Sequence, residues 1–275
     1  MDTHSVMSAF ENIYLQCIGS HCSLRKGSLE QSLEVIRDIA SAQVFLSPPM
    51  RYLKVRLTSQ EIKSIQEISV ITPMYCHAPY YINLCNPYCN RKPGEVGSWV
   101  VRKLKEELTV SQELGFQGVV FHVGKSLKMP SYQADSIFRR YAKRCLKATT
   151  PECPLLIETP SGQGSELYTK VEDFATVFIR LNKYVQKRDL GFGVCVDTCH
   201  VFASGYDPYD YITRLEKLIG IGHIKLIHLN NSKGKKGSCV DRHNHILFPG
   251  GQISDLDLLK VVTWAVKNKV DMVTE

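Results

Sequence analysis

The feature that most constrains the fold of this chain is a series of short apolar runs separated by amphipathic segments. The runs are continuously apolar, which is typical of parallel strands covered by helices rather than of a half-exposed sheet. The intervals leave room for a crossover helix, because a strand–helix–strand unit takes about 30 residues. Eight strands are predicted, at residues 14–19, 42–46, 70–76, 118–121, 154–157, 193–196, 224–227 and 270–274.

Eight strand–helix steps favour a closed α/β barrel, the (β/α)8 or TIM barrel, over an open sheet. The chain of 275 residues has an ordinary length for such a barrel, which takes about 250 residues. No Gly-x-Gly-x-x-Gly motif follows the first run, which argues against a dinucleotide-binding sheet. We predict an N-terminal tail over residues 1–12 and a single barrel domain over residues 13–275.

The last predicted strand is followed by a single residue, Glu275. A complete barrel would continue from this strand into a last helix that covers one side of the sheet. We therefore expect a barrel that lacks its last helix or is truncated before it.

Composition narrows the classes of protein that need to be considered. A hydrophobic fraction of 44% is enough for a sizeable core. No apolar run approaches the ~18 residues of a membrane span, and the N-terminus lacks the basic and apolar regions of a secretory signal. The net charge of +7 is compatible with a polyanionic partner and also with an ordinary solvated surface. We expect no contact with membranes.

The ten cysteines are dispersed and form no Cys-x-x-Cys pair. Free thiols in strand-like runs behave as small buried hydrophobic groups, so we expect an intracellular, reducing compartment. This is the cytoplasm, the nucleus or, for a viral protein, the virion or viral factory. Local pairing stays open for Cys17 with Cys22, and among Cys76, Cys85 and Cys89.

Histidine, glutamate or aspartate stands at the end of six consecutive predicted strands, from the third to the eighth. In a parallel barrel the carboxyl ends of all strands lie on one face, which is the face that carries active sites. Further residues of the same types follow in the loops after the sixth and seventh strands. The strand-end residues are His77, His122, Glu158, Asp197, His228 and Glu275, and the loop residues are His200, Asp241 and His243.

Taken singly, these residues have ordinary explanations: a strand-end histidine is often a hydrogen-bonded rim residue and an aspartate is often a helix cap. Together they need a compensating charge, because carboxylates removed from water repel each other. Imidazole and carboxylate ligands suit Zn²⁺, with Mn²⁺ or Fe²⁺ as alternatives. Nine ligands exceed those of one tetrahedral ion, so two or three ions are predicted. Clustered ions serve phosphoester displacement.

Residues 196–207, VDTCHVFASGYD, resemble the DTCH-x-F-A-x-G-Y-D signature of endonuclease IV, a family of metal-dependent apurinic/apyrimidinic (AP) endonucleases. Three further stretches resemble motifs of the same family in the same order. They are IET with GQGS within residues 157–165, HLN at 228–230 and VDRH at 240–243. The resemblance extends from about the first strand to the last residue.

The resemblance implies a (β/α)8 barrel with three Zn²⁺ ions that acts as a monomer on double-stranded DNA with abasic sites, in base excision repair. The implied reaction is hydrolysis of the phosphodiester 5′ to the abasic site, which leaves a 3′-hydroxyl and a 5′-deoxyribose phosphate. Glu158 and Glu275 are the implied catalytic residues, and Glu275 helps to orient the attacking hydroxide. The implied ligand sets are His77, His122 and Glu158; Glu158, Asp197, His228 and Glu275; and His200, Asp241 and His243.

Residues 77–83, HAPYYIN, resemble the family segment whose side chains enter the minor groove at the lesion. Filling the gap left by a missing base offsets the stacking that is lost when the sugar is flipped out. Rim packing is the alternative for the tyrosines, and a solvated loop is the alternative for the lysines after the seventh strand. The implied DNA contacts are Tyr80, Tyr81, Gly124, Ser126, Gln163 and Lys233.

Three stretches depart from the family pattern. Asn231, or Asn230 before it, stands where an aspartate usually continues the HLN motif. Residues 122–124 are His-Val-Gly instead of His-Pro-Gly, and residues 47–51 lack the usual Lys-Asn pattern. These departures concern the loops expected to contact DNA rather than the expected metal ligands.

The main alternative function is a sugar isomerase or epimerase of the same barrel superfamily, which also uses carboxylates and histidines with a metal. Such an enzyme needs only one or two ions, so the loop residues His200, Asp241 and His243 favour the nuclease. A nucleic-acid-binding module with structural metals is a third interpretation. Structural zinc sites are closed and rich in cysteine, and this set is neither.

Overall fold

The computed structural model of the protein describes four ranges, residues 17–24, 28–85, 99–246 and 248–275. The tail predicted over residues 1–12 lies outside the described residues, as do the start of the first predicted strand and Cys89. The division into this tail and a single domain over residues 13–275 therefore stays a prediction.

Eight parallel strands close into a barrel, which confirms the predicted fold. The ring is closed by the last strand, which pairs with the first, so that Met272 lies opposite Ile18. A separate antiparallel pair after the seventh strand, β8 (Asn231–Ser232) with β9 (His243–Asn244), was not predicted. The barrel strands are β1 (Ile18–Cys22), β2 (Ala42–Val44), β3 (Met74–His77), β4 (Gly118–His122), β5 (Leu155–Glu158), β6 (Phe192–Asp197), β7 (Ile224–His228) and β10 (Asp271–Thr274).

Helices lie between the strands. The first two helices that lie within the described ranges begin with capping boxes, in which Ser28 pairs with Gln31 and Thr58 with Glu61. The N–H groups left free at each helix start are thereby satisfied. Among the described residues, no helix is both long and apolar enough to span a bilayer. The helices are α1 (Leu29–Arg37), α2 (Ser59–Ser69), α3 (Trp99–Glu113), α4 (Ser131–Leu146), α5 (Val171–Val185), α6 (Thr198–Ala203), α7 (Pro208–Ile219) and α8 (Asp255–Asn268).

The third barrel strand differs from the prediction over residues 70–76. Helix α2 ends at Ser69, and β3 begins only at Met74. The side chains of Val70 and Ile71 are 87% and 63% exposed, so this half of the run belongs to the turn before the strand. The prediction was wrong here because it relied on apolarity, and single apolar side chains are also common on protein surfaces.

The eighth barrel strand, β10, is followed in the sequence by Glu275 alone. The expectation that a last helix is lacking after this strand stays a prediction.

The hydrophobic core has two layers. The larger layer lies between the strands and the helices. The smaller layer fills the inside of the barrel, where six strands each contribute one buried side chain, as expected for a barrel with a packed interior. These inner core residues are Tyr75, Val120, Leu156, Cys195, Leu226 and Val273.

A buried ion pair attaches the loop after β2 to helix α3. Lys103 Nζ lies 2.9 Å from Glu107 Oε1, and both side chains are fully buried. Lys103 also donates to the carbonyl oxygen of Leu53 at 2.7 Å, and the Ser47 hydroxyl donates to Glu107 at 2.6 Å. The loop from Ser47 to Leu53, which carries Met50 into the cleft described below, is thereby fixed at two points.

Replacing Lys103 by methionine is expected to lower the free energy of unfolding by about 3–5 kcal/mol, because Glu107 is then left buried without a counter-charge. Urea denaturation measures this loss. The matched control is Arg139→Met, which removes a partly exposed pair with Asp135 and should cost at most about 1 kcal/mol. Equal losses for the two variants would contradict the role given to the buried pair.

Candidate metal centre

Six ligand-type side chains reach one cavity because each stands two residues beyond an inner core residue. Side chains two apart on a strand point to the same face, so His77 follows Tyr75 and Glu158 follows Leu156 along the barrel interior. The structure thus brings together the six residues that the sequence places at strand ends. The other four pairs are Val120 with His122, Cys195 with Asp197, Leu226 with His228, and Val273 with Glu275.

His77, His122 and Glu158 form the first group with the spacing of metal ligands. Glu158 Oε2 lies 3.5 Å from His77 Nε2 and 3.3 Å from His122 Nε2. The Nδ1–H of His77 donates to the carbonyl oxygen of Ala78 at 2.7 Å, which leaves Nε2 as the free nitrogen. All three ligand atoms therefore face one another.

Glu158, Asp197, His228 and Glu275 form the second group. Nδ1 of His228 lies 3.0 Å from Glu158 Oε1, 3.7 Å from Asp197 Oδ2 and 3.6 Å from Glu275 Oε2. All but Glu275 are almost completely buried. Glu158 is common to the first and second groups, with one oxygen facing each.

The loop residues meet at Asp241. Its Oδ1 lies 3.2 Å from both His200 Nε2 and His243 Nε2. Two overlapping groups have ligand spacing here, one of Asp197, His200 and His243 and the other of Cys199, Asp241 and His243. Cys199 stands inside the DTCH motif but had no predicted role. Burial raises the pKa of its thiol to about 12.

Burial and close contact together set the charges in the cavity. Burial alone would raise the pKa of Glu158, but the neighbouring imidazole of His122 helps to hold it well below the usual range of a carboxyl group. Burial alone would lower the pKa of His200, but Asp197 and Asp241 raise it well above its ordinary value. Imidazolium groups thus balance the carboxylates, and a divalent cation can take over that role with neutral imidazoles as ligands.

Three buried ligand atoms have no hydrogen-bond partner among the described residues, namely Glu158 Oε2, His200 Nε2 and His243 Nε2. Buried polar atoms are normally paired, so such an exception calls for an explanation such as an ion. Each of these atoms faces ligand atoms of other residues, and imidazole with carboxylate suits a borderline cation such as Zn²⁺. The residues therefore fit divalent metal ions.

Hydrogen bonds around the groups fix the orientation of the ligands. Asp197 caps α6, with Oδ1 accepting from the His200 N–H at 2.7 Å, while Oδ2 accepts from Asn230 Nδ2 at 2.7 Å. Asn230 Oδ1 also accepts from the Glu275 N–H at 2.9 Å. His200 Nδ1 donates to the carbonyl oxygen of Thr159, which directs Nε2 towards the cavity. Asn230 had no predicted role, and its place in the HLN motif was the only indication of one.

Five of the ligand-type residues line an open cleft of about 630 Å³, namely His122, His200, Asp241, His243 and Glu275. Three of the six predicted DNA contacts line this cleft, Tyr80, Gly124 and Gln163. The Tyr80 side chain is 48% exposed, and its ring meets that of His122 edge-on with 5.5 Å between centroids. Tyr80 is thus the aromatic residue that stands over the first ligand group.

The other three predicted DNA contacts do not line the described cleft. The Tyr81 ring stacks on Trp99 at 5.9 Å. The Ser126 side chain is buried, and its hydroxyl donates to the carbonyl oxygen of Ser165. Lys233 is exposed on the loop after β8. Contact of these three residues with DNA stays a prediction.

Gly124 permits a close approach between two loops at the cleft. Its φ is 96°, and a Cβ at this position would lie 2.3 Å from Asn83 Oδ1. Asn83 accepts from the N–H of Lys125 at 3.1 Å and donates to its carbonyl oxygen at 2.8 Å. The glycine of the His-Val-Gly stretch is therefore needed to join the loops after β3 and β4.

The departure at Asn231 has a structural reason. Oδ1 of Asn231 accepts from the N–H groups of Ser232 and Ile253, at 2.7 and 2.9 Å, and Nδ2 donates to the carbonyl oxygen of Ile253 at 3.0 Å. An aspartate could make the first two contacts but not the third. Asn231 thus joins the segment before α8 to β8.

The sequence of this chain is similar to those of known proteins. The family profile described as "Xylose isomerase-like TIM barrel" matches residues 52–257. A Persephonella marina protein named "Probable endonuclease 4" is 32% identical over 247 residues, which cover 83% of this chain and 80% of that protein. One from Nitrosopumilus maritimus with the same name is 29% identical, over 94% of this chain and 92% of that protein.

This chain also resembles solved protein structures. Endonuclease IV from Thermus thermophilus superposes with a TM-score of 0.75 at 25% identity, over 94% of this chain and 92% of that chain. A D-tagatose 3-epimerase-like protein superposes with a TM-score of 0.64 at 16% identity, over 94% and 90% of the two chains, which shows a shared fold only.

Metal-free protein is expected to bind Zn²⁺ and to gain stability. A ligand that binds only the folded state adds about 2.7 kcal/mol at 100 times its Kd. Glu158→Gln, which removes the charge shared by two groups, should lose most of this gain in a thermal melt with and without metal. Glu166→Gln is the control, since Glu166 lines the same cleft outside the ligand groups. A wild-type melt that does not respond to metal would contradict the assignment.

Proposed function

The chain belongs to the endonuclease IV family of xylose isomerase-like TIM barrels, and from this membership we propose that it is a metal-dependent AP endonuclease of DNA base excision repair. Its substrate is double-stranded DNA that contains abasic sites. It hydrolyses the phosphodiester 5′ to the abasic site and leaves a 3′-hydroxyl and a 5′-deoxyribose phosphate. It acts as a monomer in an intracellular, reducing compartment.

The shared carboxylate of Glu158 supports this proposal most directly. Its Oε2 faces the histidines of the first group, and its Oε1 lies 3.0 Å from His228 Nδ1 in the second. A carboxylate between two ligand groups is suited to hold two ions side by side, an arrangement that serves in-line displacement at phosphorus. Since a sugar isomerase can also use two ions, the additional loop residues His200, Asp241 and His243 are what favour the nuclease.

We assign three Zn²⁺ ions to the cavity, with Mn²⁺ or Fe²⁺ as alternatives. Zn²⁺ is preferred because histidine and carboxylate ligands predominate and thiolates do not. The proposed ligands are His77, His122 and Glu158 for the first ion; Glu158, Asp197, His228 and Glu275 for the second; and His200, Asp241 and His243 for the third.

When bound, ions of this kind supply Lewis acidity that polarises the phosphoryl group and stabilises charge on the leaving oxygen. In the hydrolysis, a bond forms between the water oxygen and phosphorus, and the bond from phosphorus to the preceding 3′ oxygen breaks. A water proton passes to that 3′ oxygen.

Glu275 orients the attacking water. Its side chain is 12% exposed and lines the cleft, so it can reach the substrate. Burial alone would raise the pKa of Glu275, but contact with His228 and His21 keeps it below its ordinary value. The group is therefore ionised and accepts a hydrogen bond from water.

DNA lies across the cleft with the abasic sugar over the ligand groups. Tyr80 is the proposed wedge, because its exposed ring stands beside His122 and can fill the gap left by the missing base. Gln163, whose Oε1 accepts from Lys125 Nζ at 3.3 Å, places an amide and a cation together at the other side of the cleft. The net positive charge favours encounter with DNA.

Zinc-loaded protein is expected to incise a labelled duplex with one abasic site, and a chelator should abolish this activity. Glu158→Ala and His200→Ala should lower the rate at least about 100-fold, because each removes a group that holds the charge-stabilising ions. Gel analysis of the product ends measures the reaction. His223→Ala is the control, since His223 precedes β7 at the opposite end of the barrel.

Absence of incision by the metal-loaded wild type would overturn the proposed function. Ketose–aldose or epimerase turnover by the same preparation would favour the alternative, a divalent-metal sugar isomerase or epimerase.

Lys233→Gln is expected to weaken binding to duplex DNA by a similar factor whatever the sequence. It should also reduce the slope of log K against log salt concentration by about 0.9, the contribution of one phosphate contact. Fluorescence anisotropy over a range of salt concentrations measures this slope. Lys217→Gln, on helix α7, should leave it unchanged. An unchanged slope for Lys233→Gln would show that Lys233 makes no phosphate contact and that its loop is a solvated surface.

A further inference from the structure

Gln43 is a polar side chain that is fully buried inside the barrel, on a strand that supplies no ligand to the described groups. It lies on β2, opposite His21 of β1 on one side and Tyr75 of β3 on the other. At 0% exposure it can meet neither DNA nor bulk water. Its role must therefore lie in the contacts it makes within the barrel.

The amide of Gln43 contacts three side chains below the second ligand group. Oε1 lies 2.8 Å from His228 Nε2, and Nε2 lies 2.7 Å from Glu275 Oε1 and 3.0 Å from His21 Nδ1. The amide oxygen and one amide hydrogen are thus engaged, while His21 Nδ1 lies near both the amide nitrogen and, at 3.4 Å, Glu275 Oε1. Two of the three partners are proposed metal ligands.

The neighbours decide which way the amide points. An ionised carboxylate such as Glu275 only accepts hydrogen bonds, so the amide nitrogen must face it. The amide oxygen then faces His228 Nε2, which must carry a hydrogen. The opposite orientation would set oxygen against oxygen at Glu275. Nδ1 of His228, which faces Glu158 Oε1, is the nitrogen left for a cation.

The same contacts give the two oxygens of the Glu275 carboxylate different partners. Oε1 accepts from Gln43 Nε2, whereas Oε2 lies 3.6 Å from His228 Nδ1 and 3.7 Å from His243 Nδ1. Rotation of the carboxylate would break the short contact with Gln43. One glutamine thus holds a histidine in one tautomer and a carboxylate in one orientation.

We propose that Gln43 is a positioning residue for the ion assigned to Glu158, Asp197, His228 and Glu275. It keeps the hydrogen of His228 on Nε2 and turns Oε2 of Glu275 towards the ion. The inference rests on the proposed function, because that function assigns an ion to this group. Partners that orient ligating histidines typically contribute about 10–100-fold to metal affinity.

The test is a Zn²⁺ competition titration of the full chain with a chromophoric chelator. Gln43→Met keeps a side chain of similar length but removes the hydrogen-bond donor and acceptor. It should lower the affinity for one Zn²⁺ ion by about 10–100-fold and leave the affinities for the other ions unchanged. Tyr75→Phe is the matched control, because it removes a partly buried hydrogen bond to Asp271 from the same barrel interior without touching a ligand. Wild-type affinities for every ion in Gln43→Met would overturn the proposal.

A second measurement uses only the wild-type protein and so does not depend on a variant that folds. A long-range ¹H–¹⁵N spectrum of the zinc-loaded chain should show His228 with its hydrogen on Nε2 and the metal on Nδ1. Coordination through Nε2 would overturn the proposal.

Failure of this inference and failure of the proposed function give different results. Wild-type protein that binds zinc but never cuts abasic DNA refutes the nuclease, while the titration still decides the role of Gln43. Wild-type protein that binds zinc and cuts DNA, together with unaltered zinc binding by Gln43→Met, refutes the positioning role alone.

Discussion

In a closed parallel barrel, every second side chain of each strand points into one shared interior. This constraint determines the site, because six strands each place an apolar residue and then a ligand on the inner face. Leu156 and Glu158 illustrate the step: the first packs the barrel, and the second enters the cavity above it. Packing of the inner core thus supports the positions of the ligands.

The cavity is electrostatically unfavourable without compensation, because it brings together several carboxylates with little access to water and these repel one another. Imidazoles between the carboxylates and amides around them reduce this repulsion and satisfy the carboxylate oxygens. Asn230 holds Asp197 and the main chain of Glu275, while Gln43 holds the Glu275 side chain. Neutral amides suit this task because they can donate to carboxylates without adding charge. The buried ligand residues contrast with the cleft walls, where exposed residues such as Tyr80 remain accessible to a bound molecule.

Much of the fold and of the ligand set could be predicted from the sequence, for physical reasons. Strand ends in a barrel share one face, so His122 or Asp197 could be placed without knowing any contact. What could not be predicted from the sequence also has physical reasons. Val70 is as apolar as a strand residue, and only the structure shows that it is exposed. Tyr80 and Tyr81 are neighbours with the same chemistry, and the backbone alone decides which ring enters the cleft and which stacks on Trp99.

The hairpin of β8 and β9 carries two ligand-type residues, Asp241 in its loop and His243 in β9, on strands only two residues long outside the barrel wall. Their side chains are 28% and 24% exposed, against 1% for Glu158. Segments this exposed open locally at a small fraction of the global unfolding free energy, whereas β8 is buried and held by Asn231. Hydrogen exchange in β9 should therefore be faster than in the barrel strands. The contacts of Asp241 and His243 with the buried His200 would then break and re-form while the barrel stays folded.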